Sequence, residues 1–147
     1  MVQSEEEPQR VWFEAWISKC EDDILKLTGM PEGSVERHWA RFDFEGEPFK
    51  ARYFLFGDQS KPVLLMTHGY ASKSLSHYLL FKPLAQHFRV IFFDNYGWGA
   101  NSRLKATESR GLESAAKSDE VMLAWLERFF EAIDHLLPQK FNVYAHS

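Results

Sequence analysis

The spacing of apolar and polar positions changes several times along the chain, and each change marks an element. Over residues 8–28 the apolar side chains Val11, Trp12, Ala15, Trp16, Ile24, Leu25 and Leu27 recur at mostly helical spacings. Gly29-Met30-Pro31 supplies a stop, so the pattern predicts an amphipathic helical leader. Residues 37–44 alternate instead, with Ala40, Phe42 and Phe44 on one side and Arg41 and Asp43 on the other, as in a half-buried strand. Glu45-Gly46-Glu47-Pro48 is turn chemistry, and the run over 49–56 that follows should pair back on the first strand as an antiparallel hairpin.

After Gly57-Asp58-Gln59-Ser60-Lys61-Pro62 the pattern changes character. Val63-Leu64-Leu65-Met66 is continuously apolar, as expected of a parallel strand covered on both faces. Residues 75–88 return to helical spacings, with a break or kink expected at Pro83. Val90-Ile91-Phe92-Phe93 is a second continuous run. Met122, Trp125, Leu126, Phe129, Ile133 and Leu136 then form the stripe of a long helix expected over 113–137, stopped by Pro138. Residues 141–145 read as a last short strand. A hairpin followed by strand, helix, strand, helix and strand predicts an α/β sheet that is antiparallel at first and parallel later.

Composition narrows the class. A chain of 147 residues, 45% of them hydrophobic, can form one domain that buries roughly 70% of its unfolded surface. Its 17 basic and 21 acidic residues give a net charge of -4, and no Lys/Arg cluster follows a helix or strand, so nucleic acid is not an expected partner. Cys20 has no second cysteine to pair with and reads as an ordinary reduced thiol. The first eight residues are acidic where a signal peptide would be basic, and no apolar run reaches membrane-spanning length, which predicts a cytoplasmic protein. His38, His77, His87 and His135 show no metal-ligand spacing and are expected at the surface.

Three short stretches carry chemistry. Tyr144-Ala145-His146-Ser147 arrives directly off an apolar strand, and a serine on a strand-to-helix turn can project its hydroxyl above a sheet if its neighbours are small. Ala145 stands where a glycine is usual in such a turn. Thr67-His68-Gly69-Tyr70 follows the first parallel strand, where a backbone N–H can stabilise a developing oxyanion. By this logic Tyr70 acts through its main chain, His68 and Gly69 belong to the substrate-binding oxyanion loop, and His68 shapes that loop rather than serving as a base. Asp94 opens the third stretch. Its Gly97-Trp98-Gly99-Ala100-Asn101-Ser102 looks like a dinucleotide fingerprint, but Ser102 replaces the last glycine and no amphipathic helix begins there, so no nucleotide cofactor is expected. The glycines should serve a tight loop.

Together the HG stretch after the first parallel strand, Asp94-Asn95-Tyr96-Gly97-Trp98-Gly99-Ala100-Asn101-Ser102, and the terminal Ala145-His146-Ser147 resemble the ordered motifs of α/β-hydrolases over residues 37–147. That resemblance implies a helical leader over 1–36 and, over 37–147, an incomplete α/β-hydrolase domain: an antiparallel hairpin, then parallel strands with crossover helices, ending at the nucleophile elbow. It implies Ser147 as nucleophile, no metal or other cofactor, and a catalytic acid and base that both follow the serine. On this reading the isolated chain should be inactive, with an unpaired apolar strand edge prone to aggregation or to completion by a partner chain. The Trp12/Trp16 leader and the Ser102-Arg103 ending of the glycine loop are similar to the lysophospholipid-processing and lipase-coactivator abhydrolases. This second resemblance implies carboxylic ester chemistry on lipids, including lysophosphatidic acid acyltransferase activity. Its alternative is a non-enzymatic lipid-surface scaffold or coactivator, although the coactivator lacks the serine that this chain has. Trp12 and Trp16 could accordingly pack on the hydrolase body or touch a membrane or lipid droplet. Packing is favoured because the helix's polar side carries Glu14, Glu21, Asp22 and Asp23 rather than basic residues.

Overall fold

The computed structural model of the protein describes residues 6–103 and 118–146, leaving aside the side chains of 6–13 and 118. Helix α1 (Glu6–Lys26) precedes β1 (Val35–Phe44) and β2 (Glu47–Phe56), which pair antiparallel. Glu45 and Gly46 join them with positive φ of 52° and 78°, the two-residue turn whose twist suits a hairpin. Next come β3 (Val63–Thr67), a 3-10 segment (Ser74–Leu80), α2 (Phe81–Ala85) and β4 (Arg89–Phe93). Helix α3 (Ser118–Ile133), a 3-10 turn (Asp134–Leu136) and β5 (Asn142–Ala145) follow. The N-terminal part of the long helix expected from residue 113 falls outside the described residues.

One sheet holds all five strands in the order β1-β2-β4-β3-β5. β2 pairs antiparallel with β4, whereas β3 pairs parallel with both β4 and β5. The α/β class and its order of antiparallel then parallel strands are therefore as the sequence predicts. The continuous apolar runs are used on both faces. Leu64, Met66, Val90 and Phe92 join Phe54 and Phe56 beneath Leu75 and Phe81. Their alternates Leu65, Ile91 and Phe93 join Tyr53 and Leu55 beneath Trp125, Phe129 and Ile133 of α3. Crossovers on opposite faces carry the chain from β3 to one neighbour and then back to the other. Reversal of this kind opens a crevice at the strands' carboxyl ends.

Two expectations need correction. The break assigned to Pro83 lies earlier, where His77 leaves helical geometry (φ -101°, ψ 21°) and the 3-10 segment hands over to α2. Pro83 is the third residue of α2, in the first turn, where a missing N–H deprives the helix of nothing. Glu21, assigned to the polar side of the leader helix, is 6% exposed. Its carboxylate takes Nη2 of Arg52 at 3.1 Å and Nη1 of Arg37 at 3.3 Å, and Arg37 also reaches Asp22 at 2.8 Å. Ile24 and Leu25 pack on the core beside this pair, while Trp16 is 52% exposed. The leader is thus held as much by charge as by its apolar stripe. β5 has β3 on one side, with Val143 and Tyr144 exposed.

Burial pushes the Glu21 carboxyl above its ordinary value, and attraction to Arg52 and Arg37 draws it only partly back. The fold therefore binds the Glu21 proton more tightly than the unfolded chain does. This group favours folding below the ordinary carboxylate value and loses that contribution as pH rises through its raised value. Glu21→Gln carries no such contribution. The urea midpoint of the wild type should fall relative to the variant's as pH rises above the ordinary carboxylate value; parallel courses would contradict it. On the opposite face Trp125 is fully buried and stacks on Phe129 at 5.3 Å. Trp125→Ala should cost about 3–5 kcal/mol in urea unfolding, and a loss below about 1 kcal/mol would mean that α3 is not packed as described.

Candidate active site

Loops leaving the carboxyl ends of β3 and β4 meet in a polar knot. Asp94, 3% exposed, directly follows β4. Its Oδ1 accepts the N–H of Ser74 at 2.7 Å and the Ser74 hydroxyl at 2.6 Å, which ties it to the start of the 3-10 segment. Gly99 lies against the same carboxylate: a Cβ there would stand 1.9 Å from Asp94 Oδ2, and φ is +58°. Gly97 has φ +81° with open space around it. One glycine of the loop thus provides clearance and the other a left-handed backbone.

His68 is buried, and both ring nitrogens are engaged. Nδ1 lies 2.8 Å from Gly69 O, a partner that can only accept, and Nε2 lies 3.0 Å from the Asn95 N–H, which can only donate. These partners define the neutral ring with its proton on Nδ1. The 3.7 Å approach of Nε2 to Asp94 Oδ1 is accordingly not an ion pair. Asn95 holds the same loop through its side chain, donating to His68 O at 2.7 Å and accepting from the Thr67 hydroxyl at 2.5 Å. Asn101 closes the knot. Its amide donates to Asp94 O at 2.8 Å and Asn95 O at 2.9 Å, and its Oδ1 accepts the Arg52 N–H at 2.6 Å.

The candidate residues come together only in part. Gly69 is buried beside His68. Tyr70 is 89% exposed, its ring edge-on to Trp98 at 5.6 Å. β5 runs parallel to β3 with Thr67 opposite Ala145, and the His146 N–H donates to Thr67 O at 3.4 Å. The His146 ring lies 6.0 Å from that of His77. Ser147 lies outside the described residues, as do the side chain of Trp12 and residues 104–117. His38 binds Glu36 at 2.9 Å, and His87 and His135 are exposed. Among the described residues no group of three or more His, Cys, Asp or Glu side chains could hold a metal ion, and no helix is long and apolar enough to cross a membrane.

Beside the knot a cavity of about 390 Å³ separates α1 from the loops after β3 and β4. Ile17, Cys20 and Glu21 line one side, and Ser72, Trp98 and Ala100 the other. Sequence reading missed Asn95, Ser74, Asn101 and the buried Glu21–Arg52 pair. The polar residues of a glycine loop were the available signal, but their partners lie 6 to 49 positions away.

A family profile described as the alpha/beta hydrolase fold matches residues 62–147, more than half of the chain, and the chain belongs to that family. It is 34% identical over 107 residues to the "Probable 1-acylglycerol-3-phosphate O-acyltransferase" of Oryza sativa subsp. japonica, covering 73% of this chain and 24% of that protein. It is 36% identical over 73 residues to the 1-acylglycerol-3-phosphate O-acyltransferase of Arabidopsis thaliana, covering 50% of this chain and 16% of that one. The chain therefore spans a quarter or less of the length of these curated relatives. Among solved structures, the thioesterase domain from the curacin biosynthetic pathway superposes with a TM-score of 0.54 at 26% identity, over 76% of this chain and 37% of that one. A membrane phospholipase A, a bacterial virulence factor, superposes with a TM-score of 0.57 at 16% identity, over 90% of this chain and 36% of that one, which is a likeness of fold alone.

Asn95→Ala leaves His68 O and the Thr67 hydroxyl without their partners, at a cost of about 1–3 kcal/mol. Amide exchange should quicken over residues 67–70 while α3 and the β1–β2 hairpin keep their protection. A uniform change would show that Asn95 does not hold this loop in particular.

Proposed function

We propose that this chain is the front part of a serine hydrolase or acyltransferase acting on carboxylic esters of lipids, with Ser147 as the nucleophile. The observation that carries the reading is the parallel pairing of β3 with β5, with Thr67 opposite Ala145 and the His146 N–H on Thr67 O. On this reading Ser147, the residue after His146, acts together with the loop of His68, Gly69 and Tyr70. A carbonyl attacked by Ser147 would develop its oxyanion against the Tyr70 N–H, and such a preorganised donor acts without the reorganisation that water requires. Small-residue turns of this type hold a nucleophile clear of its own sheet.

The acid and base of the reaction are not to be sought among the residues of the knot. Asp94 Oδ1 is taken up by Ser74, and His68 has Gly69 O on one nitrogen and the Asn95 N–H on the other. On this reading both follow Ser147 in the order usual for the family, and residues 1–147 alone do not turn over an ester. Lipid as the substrate class is supported by the names of the rice and Arabidopsis relatives. The competing scaffold reading rests on the half-exposed Trp16, whose place beside the cavity gives it a second role within the fold.

In the full-length protein Ser147→Ala should abolish labelling by a fluorophosphonate probe and lower ester turnover by roughly three orders of magnitude or more. Unchanged turnover in the variant would sink the reading. Binding to liposomes or lipid droplets that disappeared with Trp16→Ala, without any serine labelling, would support the scaffold instead.

A further inference from the structure

Two histidines outside the polar knot meet beside the end of β5. The His77 and His146 rings stand 6.0 Å apart with 63° between their planes, and Phe92 backs the His77 ring at 5.5 Å. The two residues are 69 positions apart in the chain, so no local ligand spacing announces them. The fold brings them together from two sides. β5 pairs with β3 as far as Ala145, which carries His146 to the carboxyl end of the sheet. His77 leaves helical geometry within the 3-10 segment, with φ -101° and ψ 21°, and its ring lies over β4 at Phe92.

Neither ring is used up by the fold. His77 Nδ1 lies 3.4 Å from Lys73 O, a partner that can only accept, which directs the ring proton to Nδ1 and leaves the Nε2 lone pair free. A histidine turned in this way, one nitrogen toward a backbone carbonyl and the other open, has the form of a metal ligand with its supporting partner. Among the described residues Nε2 of His77 and both ring nitrogens of His146 have no hydrogen-bond or ion-pair partner. The other histidines differ. His68 has both nitrogens engaged, His38 binds Glu36, and His87 and His135 have no second ring beside them among the described residues.

The separation suits one shared ion. An imidazole nitrogen holds a divalent metal at about 2.0–2.1 Å, which puts the ring centroid about 3.2 Å from the ion, and two rings on one ion up to about 6.4 Å apart. A tetrahedral angle asks for about 5.2 Å, and the exposed His146 ring has room to close that difference. Paired imidazoles suit Zn²⁺, Ni²⁺ or Cu²⁺, whereas Mg²⁺ and Ca²⁺ prefer oxygen. No third His, Cys, Asp or Glu joins them among the described residues, so water completes the coordination. We infer that His77 and His146 form a site for a divalent transition metal that clamps the end of β5 to the 3-10 segment. Among the described strands β5 has β3 alone as its neighbour, and the ion gives it a second hold at the residue directly before Ser147. The ion meets both ligands only when β5 is in place, so its binding free energy adds to the strand's attachment.

The test is a Zn²⁺ titration of the 147-residue chain carrying Cys20→Ser, which removes the one thiol that would compete for the ion. It is followed through the ring resonances of the histidines. Those of His77 and His146 should shift with one shared, saturable midpoint, while Mg²⁺ moves neither. His77→Gln and His146→Gln keep a polar side chain without an imidazole. Each should weaken Zn²⁺ binding at least about tenfold with the far-UV spectrum unchanged, and the shared midpoint in the parent decides alone if a variant does not fold. At ten times the Kd, amide exchange over β5 should slow roughly tenfold. Separate midpoints for the two rings, or a folded single variant that binds Zn²⁺ as the parent does, overturns the site; saturable binding with β5 exchange unchanged overturns the clamp. The site stands apart from the ester reading: a protein that binds Zn²⁺ here yet carries no labelled serine keeps the site and loses the reaction.

Discussion

A carboxylate taken out of water must be surrounded by donors, and Asp94 meets that requirement at the point where the sheet gives way to the loops that carry function. Ser74 supplies two donors and is thereby fixed as the start of the 3-10 segment. Gly99 lacks the Cβ that would occupy the same space, and the glycine loop closes down on the acid as a result. Asn101 takes the Asp94 carbonyl and links it to Arg52 on β2. One buried charge thus sets the path of the chain after β4 and, through Ser74, the path after β3.

The candidate oxyanion loop inherits its shape from this arrangement. His68 is held as a neutral ring between Gly69 O and the Asn95 N–H, and the Asn95 side chain bonds the His68 carbonyl and the Thr67 hydroxyl. A loop fixed by its own backbone and by the Asn95 amide keeps one shape. The second charged site, Glu21 with Arg37 and Arg52, lies on the same sheet face as Phe54 and Phe56 and attaches the leader there. An isolated buried ion pair is weak support for stability, but it fixes orientation, since the partners have few other places to satisfy their charge. Cation–π contact of Arg52 with Trp39 at 3.8 Å adds to that constraint.

The sheet was legible in the sequence because period is a physical consequence of burial. Alternation over β1 reflects one buried face, and the unbroken runs of β3 and β4 reflect two. The hairpin was legible because Glu45-Gly46 answers a need for positive φ. Pro83 misled for the opposite reason: its missing N–H forbids a helix interior but suits a first turn, and spacing alone does not say which applies. Glu21 misled because a charge on a helix surface is usually solvated, and its partners are in strands 16 and 31 residues away. Asn95 and Ser74 could not be read as a knot, since a side-chain hydrogen bond leaves no periodic trace. The motifs named the loops, while the amides and hydroxyls that hold them became visible only in three dimensions.

The pairing of β5 with β3 bears on how this chain assembles. The β1–β2 hairpin closes over a two-residue turn, and its first contacts form with little loss of chain entropy. β5 must instead find β3 across the whole of β4 and α3, with Leu64 meeting Asn142 and Thr67 meeting Ala145. Contacts so distant along the chain are slow to form, because the intervening loop has to be closed before any hydrogen bond rewards it. β5 is also held on one side and carries exposed apolar residues. Among the described strands, the segment that leads to the candidate nucleophile therefore makes the pairing most distant along the chain.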